Sequence, residues 1–185
     1  MSLIVDAIKE ECSDFLTKSG GLPLIKTLLA NEDKHVRKVK VRTKKTHEQF
    51  IDTFNSAFEE EHKNIYGRSI FCNGPHSSAK EGHERVYVFP INGFKFLFNP
   101  NVNYHEEYNK SLEKVKSATA SSDVNILISD MIKYSYDSCN YTLEDAIFSS
   151  KEVIIYNIPY YYAIRGVKHP NYGYVLKELL GAFNK

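Results

Sequence analysis

Cys72, His76 and His83 lie close enough in the sequence to form either a thiol with a histidine base or part of a metal site. The spacing specifies no fourth metal ligand and no acid that would orient a histidine. Cys72 also ends an apolar segment, where a small thiol is commonly buried in the core. We therefore favour an unreactive, buried Cys72 and predict that the protein uses no metal.

Basic side chains line one face of the segment from Val36 to Thr43, where Lys38, Lys40 and Arg42 alternate with apolar residues. This face could bind phosphates, or it could be a solvated edge strand whose charges discourage aggregation. The later segment "CNGPHSSAKEG" has neither the Walker spacing nor the Gly-Lys-Ser/Thr ending of a phosphate-binding P-loop. The basic face is therefore the stronger of these two candidates for phosphate binding.

Glu152 is an acid at the start of one of the most apolar segments of the chain, "EVIIY". It follows two small hydroxyl residues, Ser149 and Ser150, and a lysine. An acid at this place is either a functional carboxylate or a charge that ends the strand at the solvent. The segment alone leaves both interpretations open.

The composition places these candidates in one globular domain. The chain has 185 residues, of which 42% are hydrophobic and 25% charged, which predicts a single domain spanning 1–185 with a sizeable core. Lys and Arg total 24 and Asp and Glu total 23, so the net charge of +1 gives no global reason to expect nucleic acid or a membrane as a partner. Any electrostatic binding must be local.

The cysteines and the N-terminus predict a cytoplasmic protein. The three cysteines, an odd number, are far apart and show no C-x-x-C spacing, so they favour free thiols over a disulfide framework or a structural zinc site. The N-terminal residues lack a basic region followed by a long apolar stretch. No segment approaches the length of a membrane span.

The terminal segments are predicted to be helical. Apolar residues repeat at helical spacing from Ile4 to Leu16, and Gly20 and Gly21 end that helix. A short second helix is predicted from Pro23 through Leu29, which completes a helical N-terminal segment over 1–33. A C-terminal helix is predicted within 171–185, from about residue 172 to 183.

An α+β core is predicted over 36–164, because strands and helices are interleaved without regular alternation. We expect a mixed or antiparallel split β-sheet with peripheral helices. The clearest local signal is "RVYVFPINGFKFLF", read as a hairpin that turns at Asn92 and Gly93. The other predicted elements are strands at 36–43, 68–72 and 160–164, a strand that begins at Glu152, helices at 46–62, 104–117 and 124–137, and short helical turns capped at Ser78 and Thr142.

Three strand features resemble the Arg, Ser, Glu order of ADP-ribosyltransferases. They are the basic strand that carries Arg42, the strand that begins Arg68-Ser69, and the late strand that begins "SKEVII" with Glu152. The segments "RSIFCNG" and "RVYVFPINGFKF" also look like small transferase-related proteins of phages. The resemblance covers roughly residues 36 to 164, and its motifs are short.

The resemblance implies an enzyme that breaks the bond between nicotinamide and ribose in NAD and transfers ADP-ribose to a macromolecule. Glu152 would hydrogen-bond the ribose and stabilise the oxocarbenium-like state. Arg42 would bind the diphosphate or ribose with its guanidinium fork, and Ser69 would orient the ribose and support the Glu152 carboxylate. Arg68 and Phe71 would complete the NAD site, with Arg37 and Arg68 as alternatives to Arg42.

The acceptor is implied only as a class. Ser150 would lie beside Glu152 near the acceptor, at a place where arginine-modifying members usually carry Glu or Gln. The implied partners are NAD and a macromolecular acceptor, a protein rather than nucleic acid, with no membrane. A phage protein of this kind would act in the host cytoplasm.

Two other hypotheses compete with the enzyme. One is an interaction module that binds a host protein or nucleic acid through the basic strand and the tyrosines at 160–162. The other is a transferase fold that has lost catalysis. Tyr66, Phe71 and Tyr87 could stack on nicotinamide or adenine, although aromatic residues in strands more often belong to the core.

Overall fold

The computed structural model describes residues 2–29, 36–41, 69–74, 83–98, 100, 141–149, 151–165 and 170–181. These ranges contain four helices and seven strands, and the class is α+β as predicted. The helices are α1 (Ser2–Glu11), α2 (Ser13–Lys18), α3 (Leu143–Phe148) and α4 (Pro170–Gly181). The strands are β1 (Leu24–Leu29), β2 (Val36–Lys40), β3 (Ile70–Asn73), β4 (His83–Pro90), β5 (Lys95–Phe98), β6 (Glu152–Tyr156) and β7 (Tyr160–Arg165).

One open antiparallel sheet contains all seven strands in the order β2-β7-β4-β1-β3-β6-β5. Most strands that are neighbours in this sheet are far apart in the chain. For example, β2 lies beside β7, and β1 lies beside β4. Two parts of the sheet meet where β1 and β3 share a single register pair, Ile25 with Asn73. By contrast, β1 pairs with β4 over its whole length.

α1 and α2 pack against the end of the sheet where β4 ends and β7 begins. Phe15 of α2 is fully buried and packs edge-to-face on Phe89 of β4 and on Phe94, with ring centroids 5.8 and 6.2 Å apart. Gly20 and Gly21, both with positive φ, then turn the chain into β1. The prediction that the glycine pair ends the helical segment is therefore confirmed. Glycine suits this turn because it adopts positive φ without steric cost.

The predicted second helix after Pro23 is wrong. Residues 24–29 form β1, which lies between β3 and β4 in the interior of the sheet. Leu24 and Ile25 are buried there, and all six residues of the strand pair with β4. Tertiary pairing has overridden a helix signal that was local and short.

The predicted hairpin is also wrong, although both of its strands exist. β4 pairs with β1 and β7, whereas β5 pairs with β6. The turn at Asn92 and Gly93 instead packs on the N-terminal helices. Asn92 Oδ1 accepts the backbone N–H of Asp14 at 2.9 Å, and Asn92 Nδ2 donates to the carbonyl of Glu10 at 3.0 Å.

The other predicted elements within the described ranges are confirmed: the strands β2, β3, β6 and β7 and the helix α4. The capping box that begins α3 is also present, with the Thr142 hydroxyl accepting the N–H of Asp145 and the Asp145 carboxylate accepting the N–H of Thr142. The predicted helices at 46–62, 104–117 and 124–137 and the capped turn at Ser78 lie outside the described residues. Among the helices described, none combines the length and the apolar character needed to cross a bilayer.

Candidate functional site

Glu152 lies where the two parts of the sheet meet. It is the first residue of β6 and stands directly opposite Asn73 of β3, which in turn pairs with Ile25 of β1. The side chain is buried, with 8% of its surface exposed. Residues paired in this way share a face of the sheet, so Glu152 and Asn73 project to the same side. The acid is therefore part of the sheet interior and is not a solvated strand end.

Lys26 strengthens the narrow connection between β1 and β3. Its ammonium group donates to the backbone carbonyl of Phe71 at 3.1 Å. The two strands share one register pair, so this side chain supplies a hydrogen bond that regular strand pairing would otherwise supply. The junction beside Glu152 is thus held partly by side chains.

The structure does not bring Ser69 to Glu152. Ser69 is buried and precedes β3, four residues before Asn73, so it lies at the opposite end of the strand pair from Glu152. Four residues of strand span about 13 Å, which is too far for a hydrogen bond between the two side chains. The role predicted for Ser69 as a support for the Glu152 carboxylate is not possible in this arrangement.

Phe71 lies on the Glu152 face. It is two residues from Asn73 on β3, so the two side chains project to the same side, and it is half-buried. The predicted contribution of Phe71 to an NAD site is compatible with this position. Arg42, Arg68 and Ser150, which the sequence also assigns to the site, lie outside the described residues.

A set of half-buried side chains extends from Glu152 across β3, β1 and β4 on this side of the sheet. We call it the central face, and it consists of Thr27, Phe71, Asn73, Arg85 and Tyr87 together with Glu152. The register fixes its geometry, since Thr27 pairs with Arg85 and Ile25 with Tyr87. Alternation within the segment "HERVY" cannot identify such a face, because the sequence does not state which strands are neighbours.

Four members of the central face besides Glu152 carry polar side chains. Within the described part of the chain, Thr27, Asn73, Arg85 and Tyr87 make no side-chain hydrogen bond and no ion pair. None of their polar atoms is among the buried unpaired atoms of the described chain, so these atoms are accessible to water. Four such groups on one face are available to a polar ligand. Asn73 and Arg85 were not predicted from the sequence as site residues. Each alternates along its strand, β3 or β4, with a residue that is buried.

Arg37, an alternative for the NAD-binding arginine, lies on the other face of the sheet. Its guanidinium is 3.0 Å from one carboxylate oxygen of Glu84, and Arg165 is 2.5 Å from the other oxygen. The Glu84 side chain is only 5% exposed. This buried cluster is charge-assisted and joins β2, β4 and β7. Because the register places Arg37 and Glu152 on opposite faces, Arg37 does not serve the central face.

Cys72 is an unsuitable nucleophile in this structure. Burial raises the pKa of its thiol to about 12, the charge of Lys26 lowers it, and the charge of Glu152 raises it further. A thiol in this state is protonated at neutral pH and shielded from reagents. His76, its proposed base, lies outside the described residues, and no group of three metal-ligating side chains occurs in the ranges that the structure describes.

The tyrosine-rich strand is largely occupied by internal contacts. Tyr161 and Tyr162 are buried, and Tyr160 donates its hydroxyl hydrogen bond to Glu11 of α1 at 2.7 Å. The ammonium group of Lys38 lies 3.4 Å from the same carboxylate and 3.7 Å from the Tyr160 ring centroid. Rings held in this way are not available to stack on bases.

Comparison with protein-family models, with curated proteins and with solved structures found no match to this chain.

Proposed function

We propose that this protein is an NAD-dependent ADP-ribosyltransferase that modifies a macromolecular target, with Glu152 as its catalytic carboxylate. One observation carries the proposal: a buried acid, Glu152, begins β6 at the junction of the two parts of the sheet. The resemblance of the "SKEVII" segment to the glutamate strand of that family supports it.

Glu152 acts by electrostatic stabilisation in this proposal. The bond between C1′ of the ribose and the nicotinamide nitrogen breaks, and both bonding electrons leave with nicotinamide, which departs as a neutral amide. A carboxylate beside the ribose stabilises the positive charge that remains on the sugar. The acceptor then forms a bond to C1′ with its lone pair and loses a proton to water or to Glu152. Burial strengthens this interaction, because the local dielectric constant is lower than in water.

The acceptor is proposed to be a protein, and the chain is proposed to act in the cytoplasm of a host cell. These finer assignments rest on the resemblance to small phage proteins. The buried state of Tyr161 and Tyr162 favours the enzyme over an interaction module that uses that strand.

Nicotinamide release by the purified protein tests the proposal. NAD is supplied with and without a bacterial cell extract, and Glu152→Gln is compared with Glu10→Gln, which makes the same chemical change on an exposed position of α1. Release by the wild type and by Glu10→Gln, with loss in Glu152→Gln, is the expected result. No release by any variant, together with no thermal shift on adding NAD, would contradict the proposal.

The acceptor class is tested in the same reaction with NAD that carries an affinity label on its adenine. Label that is removed by protease and retained after nuclease treatment identifies a protein acceptor. The reverse pattern would identify a nucleic acid and correct the proposed acceptor.

A further inference from the structure

Arg85 differs from the other arginines that the structure describes. Arg37 and Arg165 both bind Glu84 on the opposite face of the sheet. Arg85 is half-buried on the central face and makes neither an ion pair nor a hydrogen bond with any described residue. None of its atoms is among the buried unpaired atoms of the described chain, so the guanidinium is accessible to water. Its five N–H donors and permanent charge are therefore available to a ligand.

The groups around Arg85 indicate the chemistry of that ligand. Thr27 stands directly opposite Arg85 on β1, and Tyr87 is two residues further along β4 on the same face. A guanidinium with a hydroxyl beside it donates several hydrogen bonds in a geometry that suits phosphate oxygens. No acid of the described chain lies in this row to neutralise Arg85. The local charge therefore favours an anion.

The register also gives the distance between Arg85 and Glu152. The two residues lie on β4 and β6, with β1 and β3 between them, and the register places Tyr87 in line with Glu152. Three inter-strand spacings and two residues of strand therefore separate Arg85 from Glu152, on the order of 16 Å. Both side chains project from the same face, so an extended dinucleotide that lies across the strands can contact both. Phe71 and Asn73 lie between the two ends on β3.

We propose that Arg85 and Thr27 bind the diphosphate of NAD, with the dinucleotide lying across the strands and its nicotinamide ribose at Glu152 and Asn73. This inference rests on the proposed function and adds the residues that bind the substrate and its direction on the sheet. Tyr87 contributes its ring and hydroxyl beside the diphosphate. Arg85 is a binding residue, and Glu152 remains the catalytic one.

Binding and turnover of NAD by Arg85→Gln and Thr27→Val test this assignment. Binding is measured by calorimetry in the Glu152→Gln background, so that NAD is not consumed. Arg85→Gln is expected to raise the Kd and the KM for NAD roughly ten- to hundredfold with little change in kcat, since a charged hydrogen-bonding group is lost. Arg85→Lys keeps the charge and is expected to recover part of the affinity.

The control is Lys177→Gln, which removes a positive charge from an exposed position of α4. It is expected to leave Kd and KM unchanged, and thermal melts of all variants verify that each is folded. If the wild type turns over NAD and Arg85→Gln keeps the same Kd and KM, the Arg85 site is overturned while the proposed function stands. If the wild type neither binds nor cleaves NAD, both proposals are overturned together.

Discussion

Glu152 and Asn73 are direct partners across β6 and β3, and their side chains lie on the same face of the sheet. Asn73→Asp would place a second carboxylate opposite Glu152. Like charges in this position destabilise a sheet by about 0.2–1 kcal/mol and raise the pKa of one of the pair. We expect the acidic limb of the pH profile of nicotinamide release to move to higher pH. An unchanged profile in Asn73→Asp, with Asn73→Ser as the uncharged control, would contradict the direct opposition of these side chains.

Glu84 is predicted to stabilise the fold through its two arginines. Glu84→Gln leaves Arg37 and Arg165 partly buried without their carboxylate. Removing one member of a buried charge cluster costs about 3 kcal/mol, because the remaining charges stay desolvated. Urea unfolding measures this loss, and Glu10→Gln on the surface of α1 serves as the control. A loss as small as that of the control would show that the arginines are solvated in solution.

Tyr160 is predicted to make stability depend on pH through Glu11. Its hydrogen bond is the largest cause that lowers the pKa of Glu11, and Lys38 acts in the same direction. Because the pKa of Glu11 is lower in the folded than in the unfolded protein, its ionised carboxylate stabilises the fold at pH values above the unfolded pKa. This stabilisation is lost as the pH falls from about 5 to 3. Tyr160→Phe should therefore lower the free energy of unfolding at pH 7. At pH 3 the free energies of unfolding of the variant and the wild type should be closer together.

Tyr141→Phe is the matched control for this experiment. Tyr141 packs its ring on Phe98, and within the described residues its hydroxyl makes no hydrogen bond. Thermal unfolding across the pH range should give parallel curves for Tyr141→Phe and the wild type. A curve for Tyr160→Phe that is parallel to the wild type would show that the pKa of Glu11 does not depend on this hydrogen bond.

Cys12 and Cys72 are predicted to be unreactive in the folded protein. Both are buried, and burial raises the pKa of each thiol to about 12. In a Cys139→Ser background, a thiol reagent at pH 8 should label neither residue until denaturant is added. Fast labelling of Cys72 in the native protein would show that the strand pair beside Glu152 opens readily.

Asn92 is predicted to fix the turn after β4 onto the N-terminal helices. Its side chain bonds the backbone of Asp14 and Glu10, and Gly93 beside it has a φ of +83°. Asn92→Ala should lower the free energy of unfolding by about 1–2 kcal/mol, as the loss of a helix cap does. Asn92→Asp keeps the acceptor for the Asp14 N–H and should lose less. Equal losses for the two variants would contradict this role of Oδ1.

Local patterns in the sequence were sufficient for several elements. Several signals depend only on neighbouring residues: the capping box at Thr142, the glycine pair after α2, the alternating segment of β2 and the apolar run of β6. The structure contains all of them. The α+β class followed from the order of these elements. Such signals are readable because hydrogen-bond caps, positive φ values and side-chain alternation act over a few residues.

The pairing of strands was decided by the tertiary structure. β1 became a strand because it is inserted between β3 and β4, and β5 joined β6 instead of β4. These choices depend on contacts between residues far apart in the chain, which local propensity does not encode.

The candidate site followed from the same pairing. The sequence by itself determined that an acid, Glu152, begins an apolar strand. Only the tertiary structure decided that Asn73 stands opposite it, that Arg37 lies on the other face and that Arg85 shares the face of Glu152. The physical reason is that each strand has two faces, and the register with its neighbours selects which side chains meet on each face.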